Sequence, residues 1–399
     1  MNKKYFVLLI ALILCTTGCW NYKELNEIAI IGAIGIDYDD EKELFDISVQ
    51  ILNAKKTSSG SSSGSEQQSP VTVYQSKAKT IHEALRNIVL ESPKKLYLGH
   101  LEILVFGEGF AKKHLEDGVD FFLRDLESRK VFNIVLAKED KASNIIKILT
   151  PLEGMPAHSI LQSILSASKN KGIATDITYD EFLSQIYANG TEAVIPTIII
   201  DGKVSDGTDS KDTSTTAPKT KLRIGTLGIF EDFKLKGYLD QDESIGYNLL
   251  QNNLDYSIFS FPCDDKKNYA AVEMNSAKSK VSLSIKDDKP KADIKISIEA
   301  NLTEYNCKSN LSDEKVIEEI SKKAAKNIKG KIDKVIKASQ EKYNIDFIGF
   351  GEQVYLNNYS YWKKHKNEWK NIFPNIEYKI NLDLKLPKKG SIINSAKEG

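Results

Sequence analysis

The chain has 399 residues, with 55 basic against 55 acidic side chains and 41% hydrophobic residues. The charge balance argues against a nucleic-acid binder, which usually carries a basic excess, and the apolar content argues against a disordered chain. At ~150 residues per domain, the length suits two or three domains.

Lys3 and Lys4 precede an apolar run over 5–14, and Thr16, Thr17 and Gly18 lead into Cys19. That order reads as a signal peptide over residues 1–18. The run is too short for a permanent span, which needs roughly 20 residues. Small side chains before the cut are what a lipoprotein signal peptidase requires. Thr17-Gly18-Cys19 resembles a bacterial lipobox, although Thr16 stands where leucine is usual. On this reading Cys19 becomes the first residue of the processed chain and carries lipid. Two acyl chains and a third on the amine hold a membrane far more durably than one. An ordinary cleaved signal with an incidental cysteine is the alternative. Later apolar runs are short or broken by charge, so the expectation is a soluble body tethered to a membrane.

Residues 19–200 read as an N-terminal α/β region, divisible near 138. Residues 28–37 are apolar and β-branched, the mark of a buried strand, and 44–52 alternate as a hairpin partner. Residues 55–70 are Ser/Gly/Gln-rich and read as a flexible loop. A strand from Val71 leads to a helix over 80–90 and a buried strand over 96–106. A helix follows over 111–127, where Leu115, Val119, Phe122, Leu123 and Leu126 recur at helical spacing, and then a strand over 131–137. Helices are expected at 144–149, 159–168 and 179–187, and an extended run at 193–200. This alternation suggests an α/β layer.

Residues 201–221 form a second low-complexity stretch, read as the linker to a C-terminal α+β domain over 222–390, with 391–399 a tail. A hairpin is expected over 222–230 and 233–239, a helix over 242–253, and strands at 269–274, 281–285 and 292–303. The strongest helix is 312–343, with Ile320, Ala324, Ile328, Ile332 and Val335 on one stripe and charges opposite. Ser312 is the expected cap. An aromatic helix over 361–373 and a strand over 377–386 close the chain. The fold class is α+β and multi-domain, with a long amphipathic helix on an antiparallel sheet in the C-terminal part.

Cys15 leaves with the signal, so Cys263 and Cys307 remain. An isolated pair outside the cytosol is either a disulfide or two buried free thiols. The histidines His82, His100, His114, His158 and His365 are scattered without metal-ligand spacing, and no nucleophile elbow or Walker loop occurs. His100, inside an apolar run, suits a structural histidine better than a catalytic one. The charged run from Arg124 through Asp125 and Glu127 to Arg129 is either an acid/base pair or an ion-paired helix end, and Asp125 with Arg129 at four-residue spacing favours the latter. Tyr359, Tyr361, Trp362, Trp369 and Phe373 suit either a sugar or peptide site or core packing, which their helical spacing favours. No metal, cofactor or catalytic residue is nominated, and an enzyme is not expected. A solute-binding lipoprotein of a transporter and an anchored cell-wall enzyme are the competing classes.

Several segments in order carry a family resemblance. Gly18-Cys19-Trp20-Asn21-Tyr22-Lys23-Glu24-Leu25-Asn26 resembles the processed start of the Ger(x)C lipoproteins, the C subunits of spore germinant receptors, with Asn21 in place of the usual Asp. The segment around Gly99-His100, Phe122 through Arg129, the hairpin from Gly225, and Cys307 also match. So does the ending with Phe347, Gly349, Phe350, Gly351, Trp362, Trp369 and Phe373. The resemblance implies a lipoprotein of the spore inner membrane, on its outer face. Its implied partners are a multi-spanning A subunit and a transporter-like B subunit, in a complex that answers nutrient germinants.

Overall fold

The computed structural model describes residues 27–53, 69–125 and 127–388. The signal segment, Cys19, most of the 55–70 stretch, Leu126 and the tail at 391–399 lie outside the described residues. The backbone forms one nine-stranded and one four-stranded sheet with helices packed on both, an α+β architecture.

The first sheet is built from β1 (Ile28–Asp39), β2 (Leu44–Leu52), β3 (Val71–Ala78), β4 (Lys95–Tyr97), β5 (Ile103–Gly107), β6 (Asn133–Ala137), β7 (Val194–Asp201), β8 (Lys221–Glu231) and β9 (Lys234–Tyr238). Its order is β3-β2-β1-β5-β6-β7-β8-β9, with β4 on the start of β1. β1, β5, β6 and β7 run parallel, while the flanking pairs are antiparallel. Parallel strands are covered on both faces and so read as unbroken apolar runs, which is why 28–37 shows little alternation.

Helices cover both faces. One layer holds α1 (Ile81–Asn87), α2 (Glu108–Lys113) and α3 (Leu115–Arg124); the other holds α4 (Ala142–Ile145) and α5 (Pro156–Lys171), and α6 (Tyr179–Ile186) joins the first. Thr80 caps α1 by accepting from Glu83 N at 3.1 Å, and Thr178 with Glu181 forms a capping box on α6, satisfying N–H groups that a helix start leaves open.

Two expected elements are broken for visible reasons. The run 96–106 is two strands around a single turn at Leu98–His100, where Gly99 backs onto the Tyr97 ring so closely that a Cβ would lie 2.5 Å from its hydroxyl. His100 is therefore exposed on a turn, not inside a strand. The helix expected over 111–127 is two helices, because Phe110 folds back onto α3 where Gly118 leaves room for its ring.

Residues 201–221 are folded. Antiparallel β7 and β8 bracket them, and Asp201 pairs with Lys221. They carry two single turns, α7 (Val204–Gly207) and α8 (Ser210–Thr213). The buried carboxylate of Asp212 accepts from Lys219 N at 2.8 Å and Thr220 N at 3.2 Å. The segment is an excursion within one sheet, held by a side chain that composition alone reads as solvated, and not a free linker.

The second sheet orders β10 (Ser257–Pro262), β11 (Tyr269–Lys286), β12 (Lys289–Tyr305) and β13 (Glu377–Lys388) side by side. β11 is one long strand where two were expected. Its polar middle stays extended by pairing with β12, and Asp287 and Asp288, both at positive φ, close the hairpin. The sheet is antiparallel except at β13, which runs parallel to β12. The crossover carries α10 (Glu314–Lys337), and a helix between two strands returns the chain for parallel pairing. α9 (Gln241–Leu250), α11 (Phe350–Asn357), α12 (Tyr359–His365) and α13 (Trp369–Ile372) complete this part. α10 is shorter than expected, ending in a wider turn at Ala338–Tyr343. Asp313, not Ser312, caps it by accepting from Lys315 N at 2.9 Å. The aromatic helix expected over 361–373 is broken by a single turn at Lys366–Glu368. Val194, Leu227 and Ile229 of the first sheet belong to the C-terminal core, so the two parts share apolar packing.

Candidate functional site

α1 and α3 run side by side down one face of the first sheet, toward the end where β1 begins. Between them lies an open groove of about 980 Å³. Ile31, Phe45, Leu85, Leu98 and Phe121 supply its apolar lining. Charged side chains of both signs ring its mouth. The Arg124 guanidinium donates through Nε to Asp120 at 2.8 and 2.9 Å, which holds the Asp120 carboxyl below its ordinary range. Lys95 meets Glu127 at 3.2 Å, and Arg86 donates to His82 Nε2 at 3.3 Å. An apolar trough under a polar rim is the kind of groove that takes the apolar face of an amphipathic segment.

The Arg124–Arg129 cluster resolves differently from its sequence reading. α3 ends at Arg124, so Asp125 and Arg129 do not share a helix face. Arg124 instead reaches back to Asp120, and Asp125 Oδ2 accepts from Ser128 N at 2.8 Å. The histidines are not brought together. His114 stacks on Tyr38, His365 stacks on Tyr361, and His158 lies 3.0 Å from Glu102. Among the described residues no group of three or more His, Cys, Asp or Glu could hold a metal ion. Among them, too, no helix is long and apolar enough to cross a membrane.

The aromatic set divides. Trp362, Trp369 and Phe373 are buried, with the two indoles 5.3 Å apart. Tyr359 is exposed, and Tyr361 donates its hydroxyl to the Asp288 carbonyl at 3.1 Å. The structure brings Cys263 and Cys307 together after β10 and β12, with Cα atoms 5.7 Å apart, a separation that a disulfide spans. Cys19 lies outside the described residues.

Two carboxylates that the sequence reading passed over organise the junction of the two sheets. Asp346 is buried and accepts from Gly349 N, Phe350 N, Gly351 N and Trp369 Nε1 at 2.7 to 3.0 Å. Burial pushes its carboxyl up to about 6 against those donors. Its backbone carbonyl accepts from Glu192 N at 3.1 Å, and Gly190 O accepts from Glu352 N at 2.8 Å. Glu192 is pushed up to about 7, first by burial and then by Asp232 and Glu231. The sequence signal was an acid opening a glycine-rich turn, Asp346 before Gly349 and Gly351, a pattern that places backbone N–H groups around a side-chain acceptor.

The comparisons agree with this layout. The model of the spore germination protein N-terminal domain matches residues 21–200, and the spore germination B3/GerAC-like C-terminal model matches 226–390. Spore germination protein KC of Bacillus subtilis is 29% identical over 391 residues, covering 96% of this chain and 95% of that protein. Spore germination protein B3 of the same organism is 22% identical, covering 97% and 98%. The crystal structure of the GerBC protein superposes with a TM-score of 0.56 at 18% identity, over 89% of this chain and 97% of that one. Two family domains in order, full-length relatives and a shared fold place this chain in the Ger(x)C family of spore germination proteins, the C-subunit family of germinant receptors.

Proposed function

We propose that this chain is a non-enzymatic subunit of a spore nutrient germinant receptor. It is held by lipid on Cys19 to the outer face of the spore inner membrane, and it assembles with the A and B membrane subunits or couples their signal. The observation that carries the reading is collinearity: both family domains lie in one chain, and relatives named for spore germination align over nearly their whole length. The groove rim of mixed charge and the scattered histidines fit a scaffold better than a reaction centre. The reading assigns nutrient recognition to no residue of this chain.

Deletion of the chain tests the role. Nutrient-triggered germination is expected to fail while dipicolinate-triggered germination persists. A normal nutrient response in a host with no second receptor of this type would sink the proposal. Cys19→Ala tests the anchor, with loss of the chain from the membrane fraction expected.

A further inference from the structure

The end of the first sheet where β1 begins exposes apolar side chains that nothing among the described residues covers. α1 delivers Leu90 to that end and α3 leads to Val131. These side chains are 86% and 70% exposed, and Val89 and Leu123 are exposed beside them. On the opposite helix layer the turn before α5 puts Leu152 there, 93% exposed, next to the start of β3 at Pro70. β3 runs parallel to β1 through β2, so the two starts lie at one end. Helices and loops from both layers therefore place isolated large apolar groups at one end of one sheet.

Chain length says what covers them. Glu27 is fixed at that end, because its carbonyl accepts from Lys95 N at 3.0 Å. Only eight peptide steps separate Cys19 from Glu27, a reach of at most ~29 Å. A body of this length has a radius of gyration of roughly 20 Å, so the tether is shorter than the body is wide. We propose that this end, with Leu90 and Val131 at its centre, rests on the lipid surface and inserts its apolar side chains among the headgroups. The proposal rests on the lipid anchor at Cys19 argued above. In the segments that reach this end, Lys94, Arg129 and Lys130 are matched in number by Glu91, Asp125 and Glu153, and Lys95 is paired with Glu127. Charge is thus balanced there, so apolar insertion and not anionic lipid drives the contact.

The test uses the full lipid-modified chain in phosphatidylethanolamine/phosphatidylglycerol vesicles carrying nitroxide-labelled lipid. A thiol-reactive fluorophore is placed in turn on Leu90→Cys, Val131→Cys and, in the C-terminal part, Ile258→Cys and Leu356→Cys, all four at exposed positions. Quenching several-fold stronger at 90 and 131 than at 258 and 356, and little changed by the phosphatidylglycerol fraction, is the expected result. Equal quenching at all four positions, on a chain whose mass shows lipid on Cys19, overturns the docking face and leaves the anchor standing. Shielding of 90 and 131 only when the membrane subunits are added, without lipid quenching, also overturns it and assigns the face to a protein. A mass showing unmodified Cys19 removes the tether and overturns both readings.

Discussion

The indole of Trp369 donates to the buried carboxylate of Asp346 at 2.9 Å. Three backbone N–H groups of the turn before and into α11 converge on the same side chain. One acid thus ties the C-terminal aromatic helices to the segment that leads into β7.

Asp346→Ala removes the acceptor for four buried donors. A buried donor left unpaired costs ~1–3 kcal/mol, so a loss of at least ~3 kcal/mol is expected, read as a lower denaturant midpoint with an unchanged slope. Asp346→Asn keeps one acceptor oxygen and is expected to lose less. A midpoint for the alanine variant equal to that of the unaltered chain would remove Asp346 from the junction's support.

The pH response follows from Glu192 and Asp346. Both carboxyls are raised in the folded state, to about 7 and about 6. The folded chain therefore binds protons more tightly than the unfolded one, and stability drains away as pH rises from ~4 through ~7. Glu192→Gln removes the larger contribution. It is expected to raise the melting temperature at pH 8 by ~1–2 °C, corresponding to ~1 kcal/mol, and to do much less at pH 5. Equal effects at both pH values would show that Glu192 does not titrate there.

α9 crosses α10 at Gly246, where a Cβ would overlap the Lys331 carbonyl oxygen and press on Val335. Gly246→Ala must push two helices apart, and overpacking of this kind costs ~1–3 kcal/mol. Gly330, with open space around its Cα, is the control. Gly330→Ala is expected to be neutral or stabilising, since alanine favours a helix interior by up to ~1 kcal/mol. Thermal melts check the crossing: a lower midpoint for Gly246→Ala beside an unchanged or higher one for Gly330→Ala is expected.

A disulfide between Cys263 and Cys307 would close a span of 44 residues. A loop of that size stabilises by roughly 4 kcal/mol through the unfolded chain. Cys307→Ser is expected to lower the midpoint by an amount in that range. Intact mass before and after thiol alkylation would show whether the two sulfurs are free. Two alkylated thiols in the unreduced chain would overturn the bond.

Much of the fold was legible because periodicity reports burial locally. Ile320, Ala324, Ile328 and Ile332 mark the face that α10 buries. The alternation of 377–386 matches the alternating burial of β13, whereas β2 forms at 44–52 with its polar face, Asp46, Ser48 and Gln50, buried as well. β10 was missed because its six residues hold only two large buried side chains, Phe259 and Phe261. The break of the 111–127 helix depended on Phe110 meeting Gly118, a contact between two helices that no window along the chain contains.

The sequence by itself determined the strands and helices that bury one face, the order of the family segments and the short distance from Cys19 to the first strand. Tertiary structure decided that β13 joins β12 in parallel, that residues 201–221 stay within one sheet, and that α1 and α3 part to leave a groove. It also decided that Asp346 gathers donors from residues up to 23 positions away. The physical reason is range. Side-chain periodicity depends on neighbours within a few residues. Strand pairing, groove walls and buried acceptors are choices among distant segments, made only when their apolar faces and open hydrogen-bonding groups are satisfied together.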